Sequence, residues 1–287
     1  MTFTIGRFTI TEPAEGYWRA TYRNPPFNML DPQTIVELQE LISRIEANDD
    51  LRVIVFDSDV EGFFLGRYDL SGQAPAPQVP GPTGLPPFLD VTVRLSRASA
   101  ISIASIRGRA RGGGSELALA CDLRFASLEK AVLGQPEVGA GFLPGGGAIE
   151  RLPSLVGRAR ALEIILSSSD YDAVTAERYG WINRAIPDSD LDEFVDSLAR
   201  RLVFFDPQPL RDAKRLISRG ADTNADLFRE MLNVLVKSLS SPSAPKRRDI
   251  LRKRASQAGD DFELRLGYHL GPISLQQSPS SGGNLPE

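Results

Sequence analysis

Residues 2–11 alternate Thr with Phe and Ile around Gly6 and Arg7, the period of two that predicts one β-strand. Glu12-Pro13-Ala14-Glu15-Gly16 reads as a turn, and residues 17–22 as the returning strand. After Asn24-Pro25-Pro26 the period changes. Asp31 is placed to cap a helix with Pro32 at its first position, and Ile35, Leu38, Leu41, Ile42 and Ile45 follow helical spacing to about residue 48. A short apolar strand is expected over 52–56. The alternation then resumes with a strand at 101–106, a helix at 115–121, a strand at 123–126 and a helix at 145–155. This pattern predicts an α/β fold.

Two stretches break the rhythm. Residues 71–90 hold six prolines and three glycines, which predicts an irregular loop, and a loop that long in a compact domain points to a functional lid. From about residue 190 the periodicity is helical throughout, over 191–205, 209–219, 226–239 and 247–255. The expected organisation is a mixed core over 1–195 and a helical region over 196–273. A Ser/Gln/Gly/Pro-rich tail over 274–287 is predicted to be disordered.

Composition narrows the chemistry. The 287 residues are 41% hydrophobic and 24% charged, with a formal net charge of -4, which fits a soluble globular chain and argues against nucleic acid as the partner. No apolar run approaches the roughly 20 residues of a membrane helix. Residues 1–30 show no basic segment leading into an apolar one, so no secretory signal is read there. A single cysteine, Cys121, precludes an internal disulfide and suits a cytoplasmic protein. With one histidine, His269, the chain lacks the ligands of the usual zinc sites, and an ordinary Ser-His-Asp triad is disfavoured. Acid–base work falls mainly to carboxylates, tyrosines or lysines.

The informative stretch runs from 105 to 147. Gly112-Gly113-Gly114 follows a strand and feeds a helix whose expected cap is Ser115. Two readings stand side by side: a tight strand-to-helix turn, or an anion-binding backbone in which unpaired N–H groups at a helix start await a developing oxyanion. Glu116 in the first helical turn and Glu137 after Gly134-Gln135-Pro136 are each unremarkable alone. Together they could supply an acid and a base beside such a site. Arg107, Arg109 and Arg111 read either as a solvated strand end or as a grip on phosphate or carboxylate. Lys246-Arg247-Arg248 with Arg252-Lys253-Arg254 reads as a basic helix facing solvent, a neighbouring subunit or an anionic coenzyme tail.

These residues carry a resemblance. Gly108, Ala110, Gly112–Gly114, Glu116-Leu117-Ala118 and Ala120-Cys121-Asp122 resemble the central motif of the crotonase (enoyl-CoA hydratase/isomerase) superfamily. Gly134-Gln135-Pro136-Glu137, Gly141 and Pro144-Gly145-Gly146-Gly147 resemble its second motif. The likeness extends over roughly residues 10–240, through Asn24-Pro25-Pro26 and on to Tyr179-Gly180-Trp181-Ile182-Asn183. It implies a spiral of ββα units and a helical C-terminal region that builds a homotrimer or a dimer of trimers. It also implies an acyl-CoA substrate, with no membrane, no metal and no cofactor beyond the coenzyme A that the substrate carries.

By the same resemblance, Glu116 would activate water and Glu137 would protonate Cα of a 2-enoyl thioester. Gly113 would offer one oxyanion-hole N–H. The second donor lies in Phe64-Leu65-Gly66-Arg67-Tyr68-Asp69-Leu70: anchoring on Phe64, Asp69 and Leu70 makes it Tyr68, the preferred choice, and anchoring on Gly66 makes it Arg67. Substrate contacts are expected at Arg67, Asp69, Gly114, Pro136 and Gly141. Arg67 and Tyr68 replace the family's small Gly and Ala, and the Pro-rich loop replaces its usual helix. The alternatives to enoyl-CoA hydration are therefore an isomerase or C–C bond hydrolase acting without coenzyme A, and a non-catalytic homologue.

Overall fold

The computed structural model describes residues 1–69, 77–218, 225–242 and 244–271. Residues 70–76 of the Pro-rich stretch and the tail expected from 274 lie outside the described residues. The alternating segment at the start is two strands, β1 (Thr2–Ile5) and β2 (Phe8–Ala14), where one was expected. The chain reverses at Gly6-Arg7, and the carboxylate of Glu37 accepts the Arg7 N–H at 3.2 Å. β3 (Tyr17–Tyr22) returns antiparallel to β2. Helix α1 (Pro32–Glu46) opens as expected, with Asp31 accepting the Thr34 N–H at 2.8 Å and Pro32 in the first turn.

β4 (Val53–Ser58) then pairs parallel to β3. The loop predicted to run through 90 ends earlier, because helix α2 (Pro87–Arg97) starts on Pro86-Pro87. Proline is compatible with the first helical turn, where its missing N–H has no helical acceptor. Asp90 fixes the approach to α2 by accepting both the N–H (2.9 Å) and the hydroxyl (2.7 Å) of Thr83. β5 (Ile101–Ile106), β6 (Arg109–Arg111), α3 (Gly113–Ala120), β7 (Leu123–Ser127), β8 (Val132–Gly134) and the short α4 (Glu137–Ala140) follow. Next come α5 (Ala148–Val156), α6 (Arg158–Ser167), β9 (Asp170–Asp172), α7 (Ala173–Tyr179) and β10 (Arg184–Ile186).

Two sheets result. The larger runs β1-β2-β3-β4-β5-β7-β10 and the smaller β6-β8-β9. Residues between the sheets and helices α1 to α3, among them Phe8, Tyr22, Leu38, Phe56, Phe64 and Leu117, are fully buried and form the main core. Helix α8 (Leu191–Phe204) crosses the boundary expected at 195 and covers the opposite face of the large sheet. There Leu191, Val195, Ala199 and Val203 pack on Tyr17, Val53, Val55, Ile103 and Phe125. The remaining helices are α9 (Pro207–Ser218), α10 (Ala225–Leu239), α11 (Ala244–Ala258), α12 (Asp260–Leu264) and α13 (Leu266–Leu270). Phe228 and Met231 of α10 pack on Leu89 and Val93 of α2, which ties the helical region back to the core. Among the described residues, no helix is long and apolar enough to cross a membrane.

Candidate active site

The site is built where β6 turns into α3. Gly112 sits at φ +53°, ψ −123°, a conformation that a side chain resists. Its N–H bonds the Gly134 carbonyl at 3.0 Å, and its carbonyl accepts the Glu116 N–H at 2.8 Å to begin the helix. Gly112 is thus the helix cap. Ser115, expected to cap, is instead buried in the first turn, with its hydroxyl accepting from the Gln135 side chain at 3.1 Å. The glycine backbone makes the turn unaided, so no capping side chain is needed.

A second segment, 64–69, runs alongside. Phe64 N–H bonds the Arg109 carbonyl (2.9 Å), and Gly114 N–H bonds that of Gly66 (3.1 Å). A Cβ on Gly114 would lie 1.8 Å from the Leu65 carbonyl oxygen, so only glycine permits this approach. On its other side the segment pairs with 28–30. Leu30 N–H bonds the Arg67 carbonyl (3.1 Å), and Asp69 N–H bonds the Leu30 carbonyl (2.7 Å). A trans peptide sends its C=O and N–H in opposite directions, so the Tyr68 N–H points away from Leu30. Among the described residues, neither this amide nor that of Gly113 donates to a protein acceptor.

Two acids border the same turn. Glu116 is buried, and its Oε1 accepts the N–H groups of Gly146 (2.6 Å) and Ala148 (3.2 Å). Burial pushes its pKa up, and these amides together with the charge of Arg151 pull against that shift. Glu137 opens α4, also buried. Its Oε1 lies 2.6 Å from where a Cβ on Gly112 would stand, and its buried Oε2 has no hydrogen-bond partner among the described residues. Burial and then the charge of Glu116 hold its pKa well above the usual carboxyl value, against a weaker opposing pull from Arg67.

Apolar groups close the space between. An ideal Cβ on Gly113 would lie 2.7 Å from Leu30 Cδ1 and 3.5 Å from the Phe88 ring, and one on Gly146 would lie 2.4 Å from that ring. Buried Arg151 of α5 steadies the 146–148 loop through the carbonyls of Gly146 (3.0 Å) and Thr92 (3.1 Å). Glu116, Glu137, Gly113, Gly114, Arg67 and Tyr68 are therefore brought together. Pro136 immediately precedes α4, and Asp69 holds the bridge to Leu30. Gly141 lies at the far end of α4, beside the Arg247 side chain.

The three alternating arginines face protein groups. Arg107 pairs with Asp188 (2.8 Å) and Asp192 (2.9 Å), Arg109 donates to the Leu264 carbonyl (2.9 Å), and Arg111 forks onto Asp170 (2.7 and 2.6 Å). Of the basic helix, Arg247 and Arg254 turn inward onto the carbonyls of Gly139, Leu270, His269 and Gly271, leaving Lys246, Arg248, Arg252 and Lys253 exposed. Burial pushes the Cys121 thiol up to about 12, and His269 bonds Asp261 at 2.9 Å, outside the site.

Sequence reasoning missed Leu30, Phe88, Glu150 and Arg151. Phe88 was hidden in the presumed loop. Glu150 is buried, both its carboxylate oxygens lack a hydrogen-bond partner among the described residues, and burial pushes it up to about 7. The adjacency of Glu150 to Arg151 was its only signal.

The seven-stranded and three-stranded sheets with the helices packed on them form a crotonase-like fold, and among the described residues its glycine turn carries two amides without protein acceptors beside two buried acids. The enoyl-CoA hydratase/isomerase family matches residues 14–243. The chain is 31% identical over 204 residues to the short-chain-enoyl-CoA hydratase of Clostridium acetobutylicum, covering 71% of this chain and 78% of that one. It is 34% identical over 204 residues to YngF of Bacillus subtilis, a "putative enoyl-CoA hydratase/isomerase", covering 69% and 75% of the two chains. A "putative enoyl-CoA hydratase" of Streptomyces avermitilis, solved by crystallography, superposes with a TM-score of 0.86 at 37% identity, over 97% of this chain and 100% of that one. The chain belongs to the enoyl-CoA hydratase/isomerase family.

Proposed function

We propose that the protein adds water across the double bond of a 2-enoyl-CoA thioester. One observation carries the reading: two buried carboxyls in unlike environments border one turn that presents unpaired amides. Glu116, whose anion two backbone N–H groups favour, is suited to take a proton from water as its oxygen bonds Cβ. The π electrons move onto the thioester oxygen, and the amides of Gly113 and Tyr68 receive the resulting enolate charge. Glu137, whose acid form burial and the charge of Glu116 favour, delivers a proton to Cα as the carbonyl re-forms. Solvent exchange returns the proton from Glu116 to Glu137. Coenzyme A enters as part of the substrate, and the helical C-terminal region assembles a homotrimer or a dimer of trimers.

The test is loss of the ultraviolet band of the conjugated thioester on adding crotonyl-CoA and longer enoyl-CoAs. Turnover that Glu116→Gln and Glu137→Gln each suppress is expected. Folded protein inert on every chain length would overturn the reading. A second reading, enolate chemistry on a substrate without coenzyme A, draws support from the crowding of the slot by Arg67 and Phe88.

A further inference from the structure

We propose that Glu263, reaching back from the C-terminal helix α12, is a positioning residue that holds Arg67 off Glu137 and braces the Tyr68 peptide. This rests on the reading of Glu137 and Tyr68 given above.

Among the described residues, the Arg67 guanidinium has two partners, one a side chain and one a main-chain carbonyl. One guanidinium nitrogen meets Glu263 Oε1, and the other donates to the Tyr68 carbonyl at 3.0 Å. The pair is largely withdrawn from water, with side-chain exposures of 22% and 10%. The peptide joining Tyr68 to Asp69 is thereby pinned at both ends, its oxygen by Arg67 and its N–H by Leu30. The neighbouring peptide carries the Tyr68 N–H, so its aim is set by the same anchors.

Helix α12 is itself clamped to the strand that leads into Gly112. Arg111 donates to the carbonyls of Glu263 and Leu264, and Arg109 also donates to that of Leu264. Asp170 grips Arg111 and accepts the Gly267 N–H at 3.2 Å. Glu263 is thus referenced to the backbone that presents Gly113, and Arg67 to the backbone that presents Tyr68. The contact between them spans the two halves of the slot.

The second role is electrostatic. The Arg67 Cβ and Glu137 Oε1 both lie against Gly112, at 3.2 and 2.6 Å from its ideal Cβ. An arginine there without a counter-ion would turn to the nearest carboxylate and draw the proton off Glu137. Glu263 supplies that counter-ion from the other side. Glu137 also faces Glu116 from α3, whose charge raises its proton affinity. α11 brings Arg247 to the carbonyl of Gly139 on α4, and Ser168, the residue after α6, accepts the Gly139 N–H on its uncharged hydroxyl.

The experiment compares wild type, Glu263→Gln, Arg67→Met and the Arg67→Met/Glu263→Gln double variant. Glu263→Gln should lower kcat on enoyl-CoA on the order of 10- to 100-fold with a smaller change in KM. Its alkaline limb should move down by about one pH unit. The double variant should return that limb to wild-type pH or above, because no unpaired guanidinium remains. Hydrogen exchange of the 64–69 backbone should quicken in Glu263→Gln. Exchange and a carboxyl NMR titration of Glu137 test the inference even if the wild type proves inert on enoyl-CoA, an outcome that sinks the functional reading alone. An unmoved Glu137 titration and unchanged exchange in Glu263→Gln overturn it. So does a double variant whose limb stays where the single variant put it.

Discussion

The charge of Glu116 raises the proton affinity of Glu137, while Glu116 itself is anchored by the amides of Gly146 and Ala148. Two identical side chains thereby sit in unlike surroundings, and the proposed reaction uses the difference, with Glu116 accepting a proton and Glu137 holding one. Nothing in the residue type separates them. The separation comes from which carboxylate meets backbone donors and which is buried with an oxygen left bare.

Glu116→Gln and Glu137→Gln should each reduce kcat by about 10²–10⁴-fold. The signs of the pH limbs follow from the shifts. Activity should fall as pH drops through the Glu116 pKa, which burial raises, because its anion is required. Activity should fall again as pH rises through the Glu137 pKa, which burial and the charge of Glu116 raise, because its acid form is required. Glu116→Gln removes the like charge, so a carboxyl NMR titration should show Glu137 moving down towards the usual value. If it does not move, the two groups are not electrostatically linked.

The amide of Gly113 can be deleted without deleting a side chain. Gly113 is the first helical residue, where proline is sterically at home. Gly113→Ala keeps the N–H and adds a Cβ facing the movable Leu30 Cδ1 at 2.7 Å. Gly113→Pro adds the same Cβ with two further ring carbons and replaces the N–H by N–Cδ. The proline variant should be slower than the alanine variant by about 10²–10³-fold in kcat. Equal rates would mean that this amide receives no charge.

Much of this arrangement was legible in the chain, and the failures have physical reasons. Asp31-Pro32 and the apolar run at 53–56 mark α1 and β4, because capping and burial act locally. Gly112–Gly114 stood out because close backbone approach demands glycine, whereas Glu116 and Glu137, unremarkable alone, stood out through their pairing and the family resemblance. The hairpin at Gly6 was merged into one strand, although the phase of the alternation shifts between Ile5 and Phe8. Helix α2 was hidden because Pro86-Pro87, read as breakers, are helix starters when nothing precedes them in the helix. The contact between Arg67 and Glu263 joins residues 196 apart, and no local pattern announces it.

Phe88 should set the size of acyl group accepted. Its ring stands against both Gly113 and Gly146, between the proposed enolate site and the loop that binds Glu116. Phe88→Ala should raise kcat/KM for long or branched enoyl-CoAs relative to crotonyl-CoA, with little loss of fold because the ring is only partly buried. A chain-length series measured on both proteins checks this. An unchanged preference would place the acyl group elsewhere.

Glu150 offers a stability test independent of catalysis. It is buried beside Arg151, with neither carboxylate oxygen hydrogen-bonded to any of the described residues. Desolvation, with the charge of Glu116 adding to it and that of Arg151 opposing, raises its pKa from 4.5 to about 7. A folded-state pKa above the unfolded one means that the native protein binds the proton more tightly. The associated stability is complete below about pH 4.5 and is lost as pH rises to about 7. At about 1.4 kcal/mol per pKa unit the loss is at most about 3 kcal/mol. Glu150→Gln cannot ionise, so it should be more stable than wild type at pH 8 by on the order of 1–3 kcal/mol and equal to it near pH 4.5. Urea denaturation of both proteins across that range measures the effect, because the Glu116–Glu137 pair is present in both and the Glu150 charge only in wild type. A variant less stable than wild type at pH 8 would show that the Glu150 anion has a partner that stabilises it in the native state.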